Sequence, residues 1–83
     1  MIFQLSQHFK DQMQLRNINI SEIEEVLNNP QQKLTEDGLT VYQKPVEEKG
    51  KQYLLRIFVN ELKQPPVAVT VYKTSKITKY LQP

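Results

Sequence analysis

QYLLRIFVNELKQPPVAVTVYKTSKITKY, residues 52–80, decides the fold. Two apolar stretches with a period of two flank ELKQPP, a turn closed by Pro65 and Pro66. Alternation of this kind marks strands, and a short connection marks an antiparallel pair. On the first strand Tyr53, Leu55, Ile57 and Val59 share one side, and Leu54, Arg56 and Phe58 the other. On the second, Val67, Val69 and Val71 oppose Ala68, Thr70, Tyr72 and Thr74. The residues after Thr74 read either as a short helical turn or as an extended continuation.

Upstream, LTVYQKPV forms another strand, in which Pro45 suggests an edge or a bend. QQKLTE precedes it across Asp37-Gly38, a strong hairpin signal. Before residue 30 the period is helical. Ser6 caps a first helix, with Leu5, Phe9 and Met13 on one stripe. Ser21 and Glu24 form a capping box for a second, with Ile23, Val26 and Leu27 as its apolar face and Asn29-Pro30 as its stop. The expected fold is therefore α+β, with two N-terminal helices followed by a four-stranded antiparallel meander. The helices cover one face of the sheet and leave the other partly open to water.

A chain of 83 residues makes a single domain, residues 1–83. At that size the stability is a few kcal/mol, so a polar side chain pointing inward needs a reason. There is no cysteine, which rules out a disulfide framework and fits a reducing cytoplasm. The start, MIFQLSQHFK, has no basic stretch followed by an apolar run, and no segment has the length of a membrane span. A lone His8 without cysteines argues against zinc, and no cofactor motif is present. The net charge of +2 hides an asymmetry. Residues 1–50 carry five Lys/Arg against eight Asp/Glu, whereas residues 51–83 carry six against Glu61 alone. A basic second half suits nucleic acid, and it equally suits a protected edge strand.

Two features raise a question of chemistry. Arg56 interrupts the most apolar strand, and a guanidinium there needs a carboxylate, a phosphate or water. His8 and Arg16 lie slightly more than two helical turns apart, on roughly one face. They admit a proton-transfer group beside a phosphate ligand, or a surface histidine and a helix-terminal arginine. One imidazole, two guanidiniums, tyrosines and lysines make up the inventory of a metal-free ribonuclease, whose nucleophile is the RNA 2′-hydroxyl.

HFKDQMQLRNINISEIEEVLNNP, together with the later VYQK, YLLRIFV and VAVTVYKTSKITKY, resembles a bacterial family known as domain of unknown function 4258. The resemblance rests on His8, Arg16, Asn17-Ile18, the acidic helix Ser21–Leu27 and Asn29-Pro30. Asn17 stands where the family often has glycine, and asparagine tolerates a left-handed backbone. The resemblance implies a fold similar to RelE-like and barnase-like ribonuclease toxins and a metal-independent ribonuclease of the toxin–antitoxin type. His8, Arg16, Arg56 and Tyr72 would be its catalytic residues. Thr70, Lys73, Lys76 and Lys79 would hold single-stranded or ribosome-bound RNA, and an antitoxin would be the protein partner. The alternative is a non-catalytic RNA- or protein-binding module. A monomer or weak homodimer is expected, with no membrane association.

Overall fold

The computed structural model describes residues 2–83. A short strand β1 (Gln4–Leu5) leads directly into α1 (Gln7–Leu15) and α2 (Ile20–Asn28). Strands β2 (Gln32–Glu36), β3 (Leu39–Glu48), β4 (Lys51–Asn60) and β5 (Val67–Thr74) follow, then one helical turn, α3 (Ile77–Tyr80). The sheet has five strands in the order β1-β5-β4-β3-β2. β2 to β5 form the antiparallel meander, and β1 pairs with β5 in parallel. This corrects the expectation of a four-stranded, purely antiparallel sheet preceded by two helices. The sheet is mixed, there are three short helices, and the first two come after strand β1. Two residues are too few for an alternation to show, so β1 leaves no sequence signal. Its existence depends on the Gln4 N–H donating to the Pro66 carbonyl and the Ser6 N–H to that of Ala68, at 2.9 and 3.0 Å.

The helix ends follow from local chemistry. The Ser6 hydroxyl accepts from the Phe9 N–H at 3.0 Å and caps α1. α1 closes in a Schellman turn: Ile18 N–H donates to the Met13 carbonyl and Asn17 N–H to that of Gln14. Asn17 sits in the left-handed region at φ 55°. α2 is capped by Asn19 rather than by the expected Ser21, since the Asn19 side chain accepts from the Glu22 N–H at 2.9 Å. The cap is thus shifted two residues upstream. The Asp37-Gly38 turn has positive φ at both residues, 52° and 78°, as a two-residue hairpin requires. Pro45 lies in β3 beyond the last residue paired with β2, so its missing N–H removes no bond between those strands.

The main core lies between the sheet and the first two helices. Phe9 from α1 and Ile23, Val26 and Leu27 from α2 pack with Tyr42, Leu55, Ile57, Val59, Ala68 and Val71. The β5 contribution differs from strict alternation. The register shifts between Phe58 and Val59, so that Phe58 faces Thr70 while Val59 faces Ala68. Val69 is the extra residue of this bulge. Ala68 therefore turns into the core, whereas Val67 and Val69 are only half-buried. The opposite face is covered at its centre, while Phe58, Thr70, Tyr72 and Thr74 on it are half-buried. Val41, Leu54, Gln43 and Arg56 are all buried there, and Tyr80 of the segment that follows β5 meets Gln43 and Arg56.

Asn17 provides a check on the helix exit. Replacement by alanine is expected to lower stability by about 1 kcal/mol, because a Cβ without a local polar partner is strained at positive φ. Replacement by glycine is expected to preserve or raise it. Urea unfolding that ranks Ala above Gly would contradict the assignment of this turn.

Candidate functional site

A polar row crosses four strands. Gln32 on β2 pairs with Gln43 on β3, Gln43 with Arg56 on β4, and Arg56 with Tyr72 on β5. Cross-strand neighbours on one face are close enough to bond, and here each does. Gln43 Nε2 donates to Gln32 Oε1 at 2.9 Å, and Arg56 Nε donates to Gln43 Oε1 at 2.8 Å. Arg56 also donates from one terminal nitrogen to the Tyr72 hydroxyl at 2.6 Å and from the other to Glu36 Oε2 at 2.8 Å. Arg56 is 1% exposed and Gln43 fully buried. Burial by itself would disfavour the guanidinium charge. The bonds to Glu36 and Tyr72 outweigh it and push the Arg56 pKa above its ordinary value.

Aromatic rings complete the enclosure. The Tyr80 ring centre lies 4.4 Å from the guanidinium carbon, Phe58 5.3 Å and Tyr72 5.7 Å. Phe58 and Tyr72 stack on each other at 6.0 Å with a 24° tilt. Thr70 stands on the same face, opposite Phe58. Lys76, which precedes α3, and Lys79, within it, are exposed, and neither makes an ion pair among the described residues. Arg56, Tyr72 and Thr70, with Lys76 and Lys79 nearby in sequence to the cover, are the expected site residues that share this region.

The others lie elsewhere. His8 on α1 and Arg16 at its C-cap are exposed, and the buried Phe9 of α1 packs with Leu55, Ile57 and Val71. Strand alternation puts Arg56 and Tyr72 on the other side of the sheet, so His8 and Arg16 are not brought to them. Lys73 pairs with Leu55, which also faces the helices. It is only 12% exposed and binds Glu22 of α2 and Glu48 at 3.0 Å each. Burial opposes its charge, but these two carboxylates raise its pKa overall. Lys73 is thus a tie between sheet and helix rather than a free cation.

Glu36, Gln43 and Tyr80 complete the Arg56 cluster and were not singled out by sequence. Gln43 had one usable signal: it is a polar residue on the same side of β3 as Val41. Glu36 becomes relevant only once the register is known, and Tyr80 only once α3 folds over the sheet. Glu36 Oε1 has no hydrogen-bond partner among the described residues, which leaves one carboxylate oxygen available as a proton acceptor. No group of three His, Cys, Asp or Glu suited to a metal occurs among the described residues. Among the described residues, no helix is long and apolar enough to cross a membrane.

Two other features carry less chemistry. A groove between the first residues and α2 is lined by Phe3, Leu5, Ile20, Ile23 and Leu27, with Glu24 and Asn28 as its polar groups. On the helix side, Tyr42 donates to Glu61 at 2.6 Å and Thr40 to the same carboxylate at 2.7 Å. Burial, and then Glu61, push the Tyr42 phenol up. The Tyr42 bond, then that of Thr40, holds the Glu61 carboxyl below its ordinary range.

The family described as domain of unknown function 4258 matches residues 5–78. No curated protein and no solved structure matches the chain.

Two outcomes are expected. Arg56→Ala empties a buried position and strands the buried Gln43 amide, and is expected to cost about 2–4 kcal/mol, a large share of the stability of a small domain. A native far-UV spectrum and an unchanged urea midpoint would refute the buried network. Glu61 has a folded pKa below its unfolded value, so its contribution is complete above the ordinary glutamate range and fades as pH falls through the folded value. Tyr42→Phe is therefore expected to lower the urea midpoint at pH 6 and to flatten its decline between about pH 5 and pH 3. Parallel acid limbs for the two proteins would contradict it.

Proposed function

The chain belongs to the family described as domain of unknown function 4258, and from the geometry of its Arg56 face we propose that it binds single-stranded RNA there and cleaves it. The observation that carries this reading is the guanidinium fixed between the Tyr72 hydroxyl and the Glu36 carboxylate at 2.6 and 2.8 Å. A positive group, a carboxylate and a phenol on one face of the sheet suffice for cleavage by internal attack. The Glu36 carboxylate takes the proton of the RNA 2′-hydroxyl. The 2′-oxygen bonds to phosphorus, and Arg56 offsets the charge that develops on the phosphate oxygens. The phosphorus–5′-oxygen bond breaks, and Tyr72 gives a proton to the departing oxygen. The products are a 2′,3′-cyclic phosphate and a 5′-hydroxyl end. The nucleophile comes from the substrate, so the scheme calls for no cofactor.

Tyr80 and Phe58 offer rings on which unpaired bases can stack, and Lys76 and Lys79 offer charge to the backbone. The scheme agrees with the RelE-like and barnase-like toxin resemblance and with a cytoplasmic setting, where an antitoxin would be the protein partner. His8 and Arg16, on the helix layer, take no part in it. A second reading, an RNA- or protein-binding module without catalysis, is favoured by one specific observation: every Arg56 nitrogen already has a protein partner.

Induction in a bacterial host, with mapping of new RNA 5′-hydroxyl ends, separates these readings. Wild type and His8→Ala are expected to arrest growth and produce the same ends. Glu36→Gln is expected to cleave at least about a hundredfold more slowly. Loss of cleavage in His8→Ala with retention in Glu36→Gln would overturn the Arg56 face as the reaction centre. Folded wild type that binds RNA without producing new ends would favour the binding module.

A further inference from the structure

Arg56 is closed off by the segment that follows β5. Its guanidinium has five N–H groups, and three of them are bonded within the protein. The remaining two could serve a phosphate, yet the side chain is 1% exposed with the Tyr80 ring 4.4 Å away. No ligand reaches Arg56 until that ring moves.

The cover is lightly held. α3 has four residues and none of them is buried. An isolated helix of that length does not persist in water, so its order comes from its attachments. Three bonds fasten it to the polar row. Gln43 Nε2 donates to the Tyr80 carbonyl at 3.0 Å. Gln32 Nε2 donates to the Gln82 carbonyl, and the Gln82 N–H donates back to Gln32 Oε1 at 2.9 Å. Gln32 thus grips the main chain of Gln82 from both sides, as a neighbouring strand would. It sits on the outermost strand, at the exposed end of the row, whereas Gln43 is fully buried and also supports Arg56.

We infer that residues 75–83 form a strap over Arg56, that Gln32 is its latch, and that the strap must lift for the phosphate backbone of single-stranded RNA to reach the guanidinium. This rests on the reading of the Arg56 face as the RNA site. When the strap lifts, Gln43, Tyr72 and Glu36 still hold Arg56 from the sheet, so the group is uncovered without being released. Lys76 and Lys79 ride on the strap itself, so a polyanion drawn to them arrives at the moving element.

Arginine-selective modification by phenylglyoxal, read by peptide mass spectrometry, tests this. The chain has two arginines, and exposed Arg16 is the internal reference. In the wild type Arg56 is expected to react far more slowly than Arg16. In Gln32→Ala, which removes two bonds to the strap, the Arg56 rate is expected to rise about tenfold while Arg16 is unchanged. Tyr80→Ala, which leaves the sheet untouched, is expected to do the same if Gln32→Ala folds poorly. An unchanged Arg56 rate in both folded variants would overturn the strap. So would a rise that merely follows the globally unfolded fraction across a urea series. A 12-residue oligouridylate is expected to protect Arg56 in the opened variants. Opening without such protection would uphold the strap and overturn the RNA reading.

Discussion

A guanidinium buried in the middle of a sheet sets the terms for the rest of this molecule. Burial opposes the Arg56 charge, and Gln43, Tyr72 and Glu36 each accept one of its N–H bonds. Two of these partners are its direct cross-strand neighbours. The register of three adjacent strands is therefore tied to one side chain. A one-residue slip of β4 would swing Arg56 into the apolar layer beneath the helices and leave Gln43 without its main partner. Apolar strands pair readily in several registers. A single polar group with fixed partners removes that freedom, at the expense of burying charge in a small domain.

The two faces of the sheet then divide the work. On the helix side, Phe9, Ile23, Val26 and Leu27 supply ordinary apolar burial, and Lys73 bridges to Glu22 and Glu48 at the margin. On the other side, aromatic rings and amides enclose the arginine. The bulge at Val69 allows one strand to serve both layers. Thr70 and Tyr72 stay in register with the Arg56 face, while Ala68 turns into the helix-side core. Without the extra residue, Ala68 and Tyr72 would lie on the same side.

Much of this was legible in the sequence, and the parts that were not share a cause. The helices announced themselves through Ser6, Phe9 and the Ile23–Val26–Leu27 stripe, and the meander through Asp37-Gly38 and the alternation of residues 53–59. These signals are local. β1 has only two residues, and its partner lies at the far end of the chain, so periodicity cannot reveal it. The bulge sits within a run of small and β-branched residues, where shifting by one position changes little in the pattern. Arg56 was visible as an anomaly, but its surroundings were not, because Glu36, Gln43 and Tyr80 converge on it from three elements. His8 lies in the first turn of α1 and Arg16 at its C-cap. Which side of the sheet that helix covers depends on β1, the element the sequence did not disclose.

The parallel pairing of β1 with β5 also bears on the order of assembly. Every other strand pair joins neighbours in sequence, so those hairpins can close as soon as they exist. β1 is synthesised first, but its partner, Val67 and Ala68, is among the last strand residues to appear. Until then Phe3, Leu5 and the inner face of α1 have no β5 to pack against. Phe3 and Leu5 therefore remain exposed apolar surface until the chain has grown past Ala68. Among the strand pairs, β1 with β5 closes the longest loop and so carries the largest closure entropy.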